Sequence, residues 1–534
     1  MAKLWRLVRL NLRAMLHSLQ IGSGKSKKAG KVTGYGALLL LAALAVYIAG
    51  VYSFMFAALL GEVGMIDYLI PLMAILGCGL SVVMTIQAAS GFIFSGKDSD
   101  LMLSLPVSAF SVMLSRITAL YIENLLFIGV FMVTSGVAAI TQGAGGAGFM
   151  AALLVCTLLL TFLTTLITTV IAFAVSWLTA HFPGQKLLGT LLYFAVFILI
   201  MVGAFQLNNV GTLLLQNQEA FDNLLSSWLL PFGLMKRGLA GDIAAVLLLA
   251  ALSVLPFLAI VWLFSSQYKK VLSALSARTV RNDYKLGELK ASGQFMTLFR
   301  REVKRYFGTS IYFFNTGFGA VTLVVAAAFA CFGYRAAIPY VEAFAPLVGG
   351  MEMVCGLAVL AIGFFSTTIC TTCVSISLEG KTFWILKEAP VSPKTYFSSK
   401  IAVNLLVAWP SVLLCTVPLG IVYGVDPVTL AASVFVLLAL GLLVALYGLA
   451  VNLLFPKMDA PNDTIVVKQS VSALIGALGG WVILAAAVGG YFLFGRLMPV
   501  AGYMAVWGVL FLVLSAAVWG WLLKGGAKRL RQLD

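Results

Sequence analysis

The sequence predicts an all-α polytopic membrane protein, with about twelve transmembrane helices in two six-helix repeats and both termini cytoplasmic. Three observations carry that expectation. The 534-residue chain is 61% hydrophobic and only 10% charged, with a mean hydropathy of +1.04. No soluble core needs that much apolar surface. Apolar runs near or above the roughly 20 residues that cross a bilayer recur along its whole length. A polar segment also occurs twice without a gap, at an offset of 284 residues. Gly96-Lys97…Leu105-Pro106-Val107-Ser108…Ser115-Arg116-Ile117 returns as Gly380-Lys381…Ala389-Pro390-Val391-Ser392…Ser399-Lys400-Ile401.

The runs lie at about 35–60, 66–94, 111–140, 148–180, 187–206, 243–265, 310–333, 351–377, 400–423, 428–455, 471–495 and 500–523. With the N-terminus inside, all but four of the 35 Lys and Arg residues fall in cytoplasmic segments or at their membrane edges. The exceptions are Lys236, Arg237, Arg335 and Arg496. The inverted topology would place nearly all basic charge outside, against the positive-inside rule. The expected organisation follows. Residues 1–34 form a cytoplasmic amphipathic helix and basic linker, and 35–265 a first six-span half. Residues 266–309 form a cytoplasmic linker and second amphipathic helix, 310–523 a second six-span half, and 524–534 a basic cytoplasmic tail.

Composition also excludes functions. The net charge of +16 is spread among loops rather than gathered on one module, so it reads as attraction to an anionic inner leaflet and not as nucleic-acid binding. The first 34 residues are basic and lack the short apolar core of a cleaved signal peptide. Gly22-Ser23-Gly24-Lys25-Ser26 resembles a phosphate-binding loop but has Leu19 where that motif needs glycine, so no nucleotide is expected here. His17 and His181 are the only histidines, which excludes a histidine-rich catalytic metal site. All seven cysteines lie within spans, against an extracellular disulfide framework. Cys370-Thr371-Thr372-Cys373 is read as small residues for helix packing, with redox or metal chemistry second.

Each half opens with a basic amphipathic stretch. Arg6, Arg9 and Arg13 share one face in the first; in the second, Arg301, Lys304 and Arg305 oppose Phe295, Leu298, Phe299 and Val303. Such helices are expected in the headgroup plane. Residues 207–242 read as a long external loop with short helices, and 334–350 as a second external segment.

The repeated elbows are the first candidates for function. In copy one, Lys97, Asp98 and Asp100 precede Leu101, Leu103 and Leu105 before Pro106 breaks the run and Ser108 caps the next helix. In copy two, Lys381, Phe383, Trp384, Leu386, Lys387 and Glu388 precede Pro390, and Ser392-Pro393 opens the next helix. A short helix mixing apolar and charged positions suits a groove on a cytoplasmic partner, although a tight turn between spans uses Pro and Ser too. Within the spans, Glu123 and Asn124 are candidates for a translocation path, set against a buried pair or an interhelical hydrogen bond.

An amphipathic entry helix, two spans, an elbow with a Leu-Pro-Val-Ser-like core and four more spans resembles half of an ABC-2-type exporter permease. The stretch from Phe455 to Ser470 is similar to a motif of the large fused ABC exporter membrane proteins of Gram-positive bacteria. The resemblance implies a bacterial plasma-membrane permease subunit, not itself an enzyme, that forms the path for an exported substrate. It implies that residues near 97–108 and 381–392 contact a separate cytoplasmic ABC ATPase, which alone binds ATP and magnesium. Asp98 against Thr382 and Ser104 against Glu388 make the two contacts unequal. The alternative is an ion-coupled secondary transporter with twelve spans, for which Glu123 is the one ionisable candidate.

Overall fold

The computed structural model describes residues 5–10, 29–89, 108–181, 192, 194–196, 198, 218–276, 293–460, 463–494 and 497–533. Among them the structure is helical without strands, and eleven helices are long and apolar enough to cross a membrane. The protein is a multi-pass membrane protein. The span expected at 187–206 falls mostly outside the described residues. The chain divides into two compact units, Met1–Asp283 and Tyr284–Asp534.

Unit 1 comprises α1 (Ala29–Glu62), a 3-10 turn (Ile66–Tyr68), α2 (Leu69–Ala89), α3 (Ala109–Thr141), α4 (Ala147–His181), the short α5 (Gln218–Ser226) and α6 (Leu230–Leu239), and α7 (Ile243–Ser276). Ser108 caps α3 as its sequence predicts, accepting from Ser111 N at 3.2 Å. Apolar side chains cluster at two levels. Tyr68, Met73, Ile128, Leu160, Phe221 and Leu234 close one end, and Leu7, Met113, Ile117, Ala172 and Phe257 the other. Leu7 and Val8 of the entry stretch are buried, while Trp5, Arg6 and Arg9 are exposed.

The two short helices before α7, α5 and α6, are pinned to the 3-10 turn by a polar knot. The Tyr68 hydroxyl donates to Asp222 Oδ2 at 2.7 Å, and Lys236 Nζ lies 2.9 Å from Asp222 Oδ1. That ammonium also sits 3.5 Å from the Tyr68 ring centroid, a cation–π contact.

Unit 2 comprises α8 (Gln294–Gly308), α9 (Ser310–Phe332), α10 (Tyr334–Val348), α11 (Met351–Thr368), α12 (Thr372–Ser375), α13 (Phe383–Glu388), α14 (Pro393–Val422), α15 (Pro427–Leu454), α16 (Asp463–Gln469), α17 (Val471–Phe494) and α18 (Val500–Trp521). The central span is α15: 72% of it is buried, against 33% or less for every other span in this unit. It packs on α14, α11, α17 and α18. Pro393 and Pro427 open α14 and α15 at positions where a missing N–H costs nothing, behind the caps Ser392 and Asp426. The basic tail continues α18 through Ala527–Arg531, and Arg529 donates to the carbonyls of Leu453 and Leu454 at the C-terminal end of α15.

Three expectations are corrected in this unit. Residues 334–348 form a helix rather than a loop; its prolines, Pro339 and Pro346, leave carbonyls that an exposed helix turns to solvent. The eighth span does not run unbroken to 377, because α11 stops at Thr368. Leu298, Phe299 and Val303 of α8 face the core as expected, but Phe295 is exposed and two of the arginines do not lie on the outer face. Leu298, Glu302 and Tyr306 are buried, Arg300 and Lys304 are exposed, and Arg301 and Arg305 turn inward to an acidic partner. Amphipathic spacing counts apolar side chains alone and is blind to an acid from a distant segment.

Candidate functional site

Residues 369–377 are buried throughout, yet only the single turn of α12 is α-helical. Irregular backbone at such depth requires partners from its neighbours. Two asparagines supply them. Asn404 Oδ1 accepts from Thr371 N at 2.7 Å and from its hydroxyl at 3.0 Å. Asn452 Oδ1 accepts from Ile376 N at 2.7 Å and Ser377 N at 3.2 Å, while its Nδ2 donates to the hydroxyls of Ser377 and Ser472. Tyr312 adds a donor to Thr371 O at 2.9 Å. The loop after α15 joins through Lys457 N, which donates to Ser377 Oγ at 2.9 Å.

Cys370 and Cys373 are joined by a disulfide at this break, which corrects the reading that put helix packing first and redox chemistry second. An ideal Cβ at Gly448 on α15 or Gly476 on α17 would collide with these sulfurs, so both helices use glycine to approach them.

The elbow follows. Gly380 adopts φ 52° and ψ −138°, a left-handed region that favours glycine, and reverses the chain into α13. Phe383 is buried against Tyr396, Ile401 and Leu449, which anchors α13 to α14 and α15. Trp384 and Ile385 point away, 63% and 51% exposed. Lys387, Glu388 and Pro390 are exposed beside them, and Leu386 is half-buried. Lys381 lies in the 3-10 stretch Ser377–Thr382. Ser392 then caps α14, accepting from Thr395 N at 3.1 Å, and Gln294 at the start of α8 donates to Pro390 O at 3.0 Å.

Behind the elbow lies a cluster of five charges that sequence reasoning did not assemble. Glu379 bonds Arg301, Arg305 at 2.8 Å and Lys400 at 3.1 Å. Lys400 also meets Glu302 at 3.0 Å and the Ser375 carbonyl at 2.9 Å. The side chains of Lys400 and Glu379 are each 1% exposed. Burial pulls the Arg305 guanidinium toward the neutral form, but Glu379 and Glu302 outweigh it and raise its pKa. The cluster therefore ties α8, the irregular segment and the first turns of α14 into one body. Its sequence signal is faint: Lys400 occupies the repeated basic position of Arg116, and Glu379 immediately precedes the repeated Gly-Lys.

In the first half, Lys97, Asp98, Asp100, Leu101, Leu103 and Pro106 lie outside the described residues. Arg116 is buried, at 3% exposure. Asn124 is fully buried in unit 1. Its Oδ1 accepts from the hydroxyls of Ser81 at 2.6 Å and Thr85 at 2.9 Å, and its Nδ2 donates to Thr165 Oγ1 at 3.1 Å, so it ties α3 to α2 and α4. Glu123 beside it is half-buried. Among the described residues no group of three His, Cys, Asp or Glu side chains is close enough to hold a metal ion.

Neither a scan against protein-family models nor a search of curated proteins finds a match to this chain.

Proposed function

We propose that the chain is the membrane-spanning permease subunit of an ATP-driven exporter of the ABC-2 type in a bacterial plasma membrane. A separate cytoplasmic ATPase, carrying ATP and magnesium, drives it through the two elbows. The observation that carries this reading is the mounting of α13. Trp384 and Ile385 project from a helix fixed behind by Phe383, the Ser392 cap and the Glu379–Lys400 cluster. A large aromatic and a branched aliphatic side chain beside charged neighbours have the composition of an interface anchor. Force applied to them passes to the start of α14 through Tyr396 and Lys400, and to α8 through Glu302. An elbow that only turned the chain would need neither the exposed anchors nor the braced base.

The ion-coupled reading finds one observation in its favour, the buried ionised cluster. Its charges are mutually paired and sit where α14 begins rather than midway along the spans, which suits a brace better than an ion path.

The test is affinity capture of the tagged full chain from native membranes, with ATPase activity measured on the eluate. Trp384→Asp with Ile385→Asp, added to Leu103→Asp in the first elbow, is expected to abolish the captured activity while the chain stays folded. An intact chain captured gently and carrying no ATPase would overturn the exporter reading in favour of ion coupling, with Glu123→Gln transport assays next.

A further inference from the structure

Unit 2 contains a cavity of about 350 Å³ between α11, α15, α17 and α18. It lies in the half of these spans remote from the elbow, from Met353 to Gly363 on α11 and from Val500 to Phe511 on α18. None of its lining residues carries a carboxylate, a basic group or a histidine. Rings of Tyr491, Tyr503, Trp507 and Phe511 follow one another along one wall, with successive centroids 5.2, 6.2 and 5.5 Å apart. The Tyr503 hydroxyl is already spent on the Ala487 carbonyl.

We infer that this cavity is a binding site for a single hydrocarbon chain, entering from the leaflet farther from the elbow. Water is a poor occupant, because it needs two to four polar partners and the walls offer almost none. Shape selects the chain over a compact apolar molecule. From Val500 to Phe511 the helix rises about 16 Å at ~1.5 Å per residue. One leaflet of hydrocarbon is roughly 15 Å deep, half of a core of about 30 Å. The lining on α18 therefore extends over about the depth of one leaflet. The cavity lining includes Phe492, which is 82% exposed, so the cavity reaches the outer surface of the unit where lipid chains are at hand. Rigid aromatic rings supply broad apolar contact at small entropy cost. The chain belongs either to a membrane lipid or to a free single-chain amphiphile, and the site recognises what both share. This inference stands independently of the ATPase.

The faces of α18 make the site testable. Tyr503, Met504, Trp507 and Phe511 line the cavity, whereas Val506, Val509 and Val513 are more than half exposed on the other side. The full chain in nanodiscs of lipid carrying a diazirine within its acyl chain is irradiated, and the adducts are mapped by mass spectrometry. Adducts on Met504 and Trp507 as well as on Val509 and Val513 are expected. Adducts confined to the exposed valines would overturn the site. Gly356 lines the cavity, and a Cβ there meets only Val500 at an ordinary 3.7 Å. Gly356→Leu should therefore lower the Met504 and Trp507 adducts roughly tenfold and leave those on the exposed valines unchanged. Ala487→Leu on the facing wall repeats the test should the first variant misfold. An unchanged pattern in a folded variant refutes the inference. Excess unlabelled fatty acid that displaces the inner adducts identifies an exchangeable amphiphile; adducts that persist identify a resident lipid chain.

Discussion

Lys400 shows how one buried charge organises a functional surface. Its ammonium touches two carboxylates and a backbone carbonyl from three different segments, with 1% of its side chain exposed. Removing one partner of such a set leaves buried charge less well compensated, at a cost of about 3–5 kcal/mol. Lys400→Met keeps the length of the side chain and should destabilise unit 2 by about that much, measured as denaturant unfolding of the purified chain in detergent. Adding Glu302→Gln should cost less than the sum of the two single changes, because the acid left by the first variant with only Arg305, at 3.5 Å, is gone. Strict additivity would show that the pair does not act as a unit. None of these partnerships was legible in the sequence. Lys400 and Glu302 lie 98 residues apart, and spacing on one helix cannot foresee an acid delivered by another. Ser108 and Ser392 were legible as caps, because a cap bonds only within its own turn.

Elements were easiest to foresee where the bilayer is the selecting medium. Apolar length alone marks a span, whatever its neighbours are. The break after Thr368 escaped for the complementary reason: residues 369–377 remain apolar or small, and their irregular backbone is set by Asn404 and Asn452 on other helices. The α5–α6 cap of unit 1 depends in the same way on one tyrosine before α2. Burial by itself would raise the Asp222 carboxyl, but the Tyr68 hydroxyl and the Lys236 ammonium outweigh it and hold the pKa below its ordinary value. A depressed folded value means that the stabilisation is complete above the ordinary pKa of about 4 and is lost as pH falls through the folded value. Protection of the α6 amides, taken relative to their intrinsic exchange rates, should therefore fall below about pH 4. Asp222→Asn should remove that acid dependence and raise exchange at neutral pH. An unchanged exchange profile would show that the cap is held by Phe221, Leu225 and Leu234 alone.

Across unit 2 as a whole, charge distinguishes the two ends of the bundle. The end with α8, the elbow and the tail carries Arg300, Lys304, Lys387, Lys394, Lys528 and Arg531. The opposite end, with α10 and the start of α15, offers Arg335 against Glu342 and Asp426. The positive-inside rule predicts that the side retaining Lys and Arg is the cytoplasmic one, because translocating them across the membrane is disfavoured. Two single-cysteine additions test this orientation. Tyr340 on α10 is 76% exposed, and Lys387 on the elbow is exposed at the other end. A membrane-impermeant maleimide should label Tyr340→Cys in intact cells and Lys387→Cys only after permeabilisation, with the unsubstituted chain as the blank. The reverse pattern would place the elbow outside, where no ATP is available. It would then remove the ATPase reading together with the orientation, while leaving the hydrocarbon-chain cavity in place and assigning it to the cytoplasmic leaflet.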